Sequence, residues 1–174
     1  VDESYLIKIW GETYNSEKRS YIEELFSSLS YEGELFFTKG KKSIAVHIRS
    51  WNSQDNCKHP DREYFEKGGY KEKYYDELLQ DLVDEGSEVH IFSQGQEEDF
   101  SLFTEKYGAK LHLGEDIIST LYHLIVADCL VSSNSSLSWC AHLYGQNKKV
   151  YARDNFFHSW YNETIIVRQD GKLK

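Results

Sequence analysis

The 174-residue sequence contains no methionine, one proline (Pro60) and three cysteines, and it carries more acidic than basic side chains. Each scarcity removes a class of protein. No apolar run approaches the roughly 20 residues that a membrane-spanning helix needs, and no signal peptide is visible. Cys57, Cys129 and Cys140 do not make a disulfide framework, and the latter two sit in apolar runs that read as buried thiols. That usage favours a reducing compartment, so a cytoplasmic location is expected. With no methionine and Val1 at its start, the sequence reads as a segment of a longer chain, and a membrane-associated parent enzyme is compatible with it. A net charge of −9 argues against a general nucleic-acid or anionic-membrane surface. It leaves room for an anionic ligand, because one arginine and a helix end act locally.

Several chemical motifs are also missing. There is no Gly-x-x-x-x-Gly-Lys-Ser/Thr loop and no Gly-x-Gly-x-x-Gly, which removes P-loop and ordinary dinucleotide readings. No Gly-x-Ser-x-Gly elbow supports a serine hydrolase. The seven histidines show no metal spacing, Cys57-x-His59 being an isolated pair, and no Asp-x-Asp occurs. No metal and no cofactor are expected.

What is present is an alternation of strand-like and helical runs. Apolar content of 40% and aromatic content of 15% mark a globular chain with a real core. Strands are expected at Ile44–Ile48, Val89–Phe92, Leu111–Leu113, Cys129–Ser132 and Val150–Ala152, with Ile165–Val167 as an edge strand or a tail. Helical stripes run through Tyr21–Leu29, Tyr74–Val83, Phe100–Phe103, Ile117–Ile125 and Ser136–Tyr144. The pattern predicts one α/β, Rossmann-like three-layer domain with a mostly parallel sheet. Residues 1–40 form a leading helical segment in this reading. Residues 50–69, with Pro60 and Gly68-Gly69, form a candidate lid or acceptor loop, the alternative being a plain surface excursion.

Two strand ends carry the chemistry. Ser132-Ser133-Asn134-Ser135-Ser136 joins a buried strand to a helix, which aims donors at one spot by the positive end of the helix dipole. That arrangement suits a phosphate, the plain alternative being N-capping. His47 and Arg49 stand two apart on a strand, so both leave one side near its carboxyl end, where open α/β sheets bind ligands. Arginine's fork of donors matches phosphate. For Arg49 alone, a surface salt bridge is the plainer reading. Asn134 also begins a formal glycosylation sequon, read as a chance match because it falls in the ligand turn.

These stretches resemble the superfamily of α1,2-, α1,6- and protein O-fucosyltransferases. His47-Ile48-Arg49-Ser50-Trp51-Asn52 is similar to its His-x-Arg-Arg-x-Asp motif, Val89–Gly95 to its central strand and turn, and Tyr122–Asp128 with Asn134–Trp139 to its third motif. The resemblance implies a GT-B-like carboxyl-terminal half and inverting, metal-independent transfer from a GDP-sugar, fucose foremost, to a carbohydrate or other hydroxyl acceptor. It implies nucleotide-sugar contacts from His47, Arg49, Ser93, Asp116, Asn134, Ser135 and Ser136, with Arg49 holding the β-phosphate. Asp55 is the candidate catalytic base, and Asp61 an alternative; a solvated loop charge is the plainer reading of each. The acceptor-side domain would be missing, minimal or supplied elsewhere. Ser50 replaces the second arginine, Asn52 the motif's aspartate, and Thr120 an aspartate that reads the base. Two rivals stand beside the transferase: a non-catalytic nucleotide- or sugar-binding module, and a structural α/β domain whose hydroxyl turn is only a cap.

Overall fold

The structure is a computed structural model, and it describes residues 24, 31–49, 69–133, 135–145, 149–153, 164–168 and 171–173. Among these, six strands form one sheet: β1 (Lys42–His47), β2 (Ser87–Ser93), β3 (Lys110–Leu113), β4 (Cys129–Val131), β5 (Lys149–Arg153) and β6 (Thr164–Val167). The helices are α1 (Gly69–Leu82), α2 (Ser101–Tyr107, preceded by a 3₁₀ turn at Glu97–Phe100), α3 (Ile117–Val126) and α4 (Ser136–Tyr144). The strand order is β3-β2-β1-β4-β5-β6, and every pairing is parallel. This is the order of the doubly wound Rossmann sheet, which reverses direction between its first and fourth strands.

Alternation along the strands divides the core into two. Ile44, Val46, Val89, Ile91, Cys129 and Val131 face the side covered by Tyr75, Leu78 and Leu79 of α1 and by Phe100 and Phe103. Ala45, Phe92, Leu130 and Val150 face the other side, under Leu124 and Ile125 of α3 and Ala141 of α4. Burial on both faces explains why the strands read as continuous apolar runs. Each fully buried large side chain contributes about 1.5–3 kcal/mol. The fold is therefore α/β and Rossmann-like, in three layers.

Local chemistry sets the helix ends. Gly108 closes α2 in the left-handed conformation at φ 60°, where a side chain would be strained. Asp116 opens α3 by accepting the Ile118 and Ser119 N–H groups at 2.9 and 3.0 Å. Ser135 opens α4 by accepting the Leu137 N–H at 3.2 Å. At the amino ends of β1 and β4, Asp128 Oδ2 accepts from Ser43 N–H at 3.0 Å, while Ser43 Oγ accepts from Asp128 N–H at 2.9 Å. This reciprocal pair holds the two strands in register where the sheet changes direction.

Two sequence expectations need adjustment, at residues 31–40 and at Gly69, and two others are refined or met. Residues 31–40 contain no helix and run as bends, a turn and irregular chain; the proposed helix at residues 21–29, Glu24 excepted, lies outside the described residues. Gly69 opens α1 and does not end a loop, because α1 extends one turn ahead of its apolar stripe; residues 50–68 lie outside the described residues. The sheet is parallel throughout its described pairings, and Thr164–Val167 is its edge strand. No described helix is long and apolar enough to cross a membrane.

Leu130 is fully buried on the central strand β4, whereas Leu35 is 53% exposed. Leu130→Ala is expected to cost about 2–5 kcal/mol, and Leu35→Ala to stay within about 0.5 kcal/mol. Urea denaturation checks both, and equal losses would contradict the core assignment.

Candidate functional site

A cleft of about 290 Å³ opens at the carboxyl ends of β1 and β2. His47, Ile48 and Arg49 line it from the β1 end, and Phe92, Ser93 and Gln94 from the β2 end. Glu115 precedes α3, Ile117 and Thr120 lie in its first turn, and Ser135 and Leu137 lie at the start of α4. Two helix amino termini thus flank the cleft, and their dipoles favour negative charge there.

His47 is buried and tied to the serine turn. Its Nδ1 lies 2.6 Å from Ser138 Oγ and 3.0 Å from Ser133 Oγ. Burial, helped by the neighbouring Arg49 cation, pushes its pKa down to about 4, so the ring is neutral at pH 7. Ser93 donates to Ile48 O at 2.7 Å, joining the ends of β2 and β1. Its hydroxyl proton is thus committed, which leaves the oxygen only as an acceptor.

The cleft brings together His47, Arg49, Ser93 and Ser135 from the residues singled out in the sequence. It does not include Asp116, whose carboxylate is engaged in capping α3, or the exposed Ser136. Asn134, Asp55 and Asp61 lie outside the described residues. The hydroxyl turn bonds largely to itself. Ser133 N–H donates to Ser138 Oγ at 3.2 Å, Ser135 N–H to Ser133 O at 2.8 Å, and Ser135 Oγ caps α4. Sequence reading missed Gln94, Glu115, Ile117 and Leu137. Gln94 directly follows Ser93, which was a usable signal. Glu115 and Ile117 reach the cleft only because β3 and α3 lie beside β2 and β1, which no local pattern encodes. The pairing of Ser133 and Ser138 with His47 spans about 90 residues and was equally hidden.

Behind the cleft, Phe92 belongs to a stack of rings. Phe36 lies between His112 at 4.3 Å and His123 at 4.1 Å, nearly parallel to both. Phe92 stacks on His112 at 4.7 Å. His123 Nδ1 is 2.7 Å from Ser119 O, and its Nε2 is 3.1 Å from Phe36 N. A carbonyl only accepts and an amide N–H only donates, so Nδ1 carries the proton and Nε2 is bare. His90 Nδ1 meets His112 Nε2 at 2.9 Å. Burial lowers the pKa of His90 and of His112 to about 4, and lowers that of His123. Beside them Glu88 accepts from Thr38 N–H and from Lys110 Nζ at 3.0 Å. Burial alone would raise its pKa, yet the bonds from Thr38 and Lys110 hold it at about 2. Among the described residues no group of His, Cys, Asp or Glu is arranged to hold a metal ion.

No family model matches this chain, and no solved structure matches it. Curated relatives that it resembles are argininosuccinate lyases of Clostridium botulinum, in the Hall and Kyoto strains among others. Each is 29% identical over 116 residues, covering 62% of this chain and 24% of the relative. The chain thus spans about a quarter of the length of the curated relatives it matches. This finding overturns the transferase expectation, both as a function and as an enzyme class. The resembled proteins are lyases and not glycosyltransferases, so motif similarity over three short stretches does not carry that activity to this chain.

The neutral rings make stability pH-dependent. His47, His90 and His112 have folded-state pKa values of about 4 against 6.5 for an ordinary histidine. Between those values the unfolded chain binds more protons, so acid favours unfolding. Their contribution is full above about pH 6.5 and is lost as pH falls toward about 4. The urea midpoint should therefore hold from pH 8 to pH 7 and drop steadily from about pH 6.5 to about pH 4.5. A midpoint that stays constant over the lower range would show that these rings do not remain neutral in the fold.

Proposed function

We propose that this domain binds a small phosphorylated ligand, a nucleotide or a sugar phosphate, in the cleft at the carboxyl ends of β1 and β2. The observation that carries this reading is the placement of Arg49. It lines the cleft beside the β1–β4 junction, where the strand order reverses. Doubly wound sheets bind their ligands at that reversal. Arg49 supplies fixed positive charge and a donor fork, and the starts of α3 and α4 add partial positive charge. Glu115, on the α3 side, suits the hydroxyl groups of a ribose or hexose, since a carboxylate accepts from them. Phe92, Ile117 and Leu137 offer apolar surface for the remainder of such a molecule. The function proposed is binding, with no bond made or broken.

The likeness to argininosuccinate lyases favours a second reading, in which argininosuccinate itself occupies the cleft. One calorimetric panel separates the two: ADP, GDP and UDP, the matching nucleosides, a hexose phosphate, and argininosuccinate. The phosphorylated ligands should bind, and the nucleosides more weakly. Arg49→Ala should weaken diphosphate binding about 10- to 100-fold, the equivalent of losing a charged hydrogen bond of about 1.5–3 kcal/mol. Arg49→Lys, which keeps charge and loses the fork, should fall between. The nucleoside should bind wild type and variant alike. Equal loss of nucleoside and diphosphate would remove Arg49 from the phosphate, and preferred binding of argininosuccinate would replace the first reading by the second.

A further inference from the structure

His47 is 8% exposed and lines the cleft, and its two ring nitrogens meet different surroundings. Nδ1 faces the Ser133 and Ser138 hydroxyls. Among the described residues Nε2 has no hydrogen-bond partner.

The serine pair decides which nitrogen carries the proton. Ser138 Oγ already accepts the Ser133 N–H at 3.2 Å, and the two hydroxyl oxygens are 3.2 Å apart. Suppose Nδ1 is bare. Ser138 then donates its hydroxyl proton to Nδ1 across the short 2.6 Å contact, and Ser133 donates its own to Ser138 Oγ. Every proton of the trio has an acceptor. Suppose instead that Nδ1 carries a proton. It must donate to a serine oxygen, each hydroxyl then has only the other as an acceptor, and one of the two buried hydroxyls is left with none among the described residues. A stranded buried donor costs about 1–3 kcal/mol. An imidazolium strands the same proton and adds a buried charge beside Arg49.

We infer that Ser133 and Ser138 are positioning residues that lock His47 as the Nε2–H tautomer, and that this uncharged N–H takes an acceptor oxygen of the ligand next to the Arg49 cation. The second half rests on the anion-binding reading above; the first half does not. Unlike His90 Nε2, this nitrogen is not sealed in the interior, so its N–H opens on the cleft where a ligand oxygen can reach it. Charge and donor are thereby separated: Arg49 supplies the permanent charge, and His47 supplies direction without titrating. The other polar groups facing His47 do not alter this. Tyr75 Oη, from α1, donates to the His47 backbone carbonyl at 3.4 Å, and Glu115 stands on the α3 side of the cleft. Burial keeps the ring neutral well below pH 7.

The test has two arms. In the first, ¹⁵N-edited NMR of the ligand-free protein reads the protonation of each His47 nitrogen. Nε2 should be protonated and Nδ1 bare from about pH 5.5 to about pH 8.5, a range that spans the ordinary histidine pKa. A proton on Nδ1, on both nitrogens, or exchanging between them would overturn the lock. In the second arm, sulfate serves as a probe whose charge is constant over that range. Wild type should bind it with the same Kd throughout. The double variant Ser133→Ala, Ser138→Ala removes both donors to Nδ1 and leaves burial and Arg49 in place, so His47 should stay uncharged but populate both tautomers by NMR, and sulfate should bind about twofold or more weakly at every pH. Each single variant keeps one hydroxyl that donates to Nδ1 and should keep the Nε2–H form, and a tautomer mixture in the single variants but not in the double one would overturn the lock. A wild-type affinity that falls as pH rises would mean a charged His47 and sink the lock while leaving the anion site in place. If sulfate does not bind at all, the ligand half falls together with the anion reading, and the tautomer stands on the NMR result alone.

Discussion

The pairing of β1 with β4 is the contact on which the rest of this molecule depends. These strands are neighbours in the sheet although more than 80 residues separate them, and the sheet winds in opposite directions on either side of them. Ser43 and Asp128 exchange backbone and side-chain hydrogen bonds at the amino ends of the pair. With that register set, Val46 lies beside Val131, so His47 and the Ser132–Ser135 turn emerge together at the opposite end. The contacts from His47 to Ser133 and Ser138 follow from this alignment. A slip of one residue would turn every β4 side chain to the other face of the sheet.

The same alignment settles how the polar turn is used. A run of hydroxyls after a buried strand serves a ligand, a helix end or a buried neighbour, and here the second and third uses dominate. Ser135 caps α4, and Ser133 and Ser138 satisfy each other and His47. What the cleft offers a ligand is therefore narrower than a ring of free hydroxyls. It is an arginine, an imidazole edge, the Glu115 carboxylate, two helix starts and apolar surface from Phe92, Ile117 and Leu137. Such an arrangement suits one anionic group attached to a larger body. It supplies no observation of sugar transfer, and the curated proteins that the chain resembles are lyases.

A second polar system lies deeper on the same face of the sheet. Phe36 sits between two imidazoles, His123 uses both nitrogens, and Glu88 holds the chain at Thr38. Residues 31–38, which lack regular structure, are thus fastened to β2, β3 and α3 by rings and hydrogen bonds in place of a helix stripe. Phe92 belongs both to this stack and to the wall of the cleft.

Much of the architecture was legible in the chain. Doubly buried strands need apolar residues at nearly every position, and helices need them at three- to four-residue spacing, so both patterns show locally. The strands near Ile44, Val89 and Cys129, the stripe of α1 and the boundaries of α4 were readable for that reason. His47 and Arg49, two apart, do line one cleft, but the serine turn, read as a phosphate site, caps α4 and satisfies His47. The absence of helix over residues 31–40 was not readable, because Phe36 and Phe37 find their partners in histidines far along the chain. Asp116 looked like a ligand residue and is a helix cap, since a carboxylate before a helix satisfies its first N–H groups whatever else the site does. Local sequence by itself determined the elements, the face each strand presents and the excess of negative charge. Only the tertiary structure decided which polar groups meet, because hydrogen-bond partners such as His47 and Ser138 are chosen by strand order and register, and those are set by packing between segments remote in the chain.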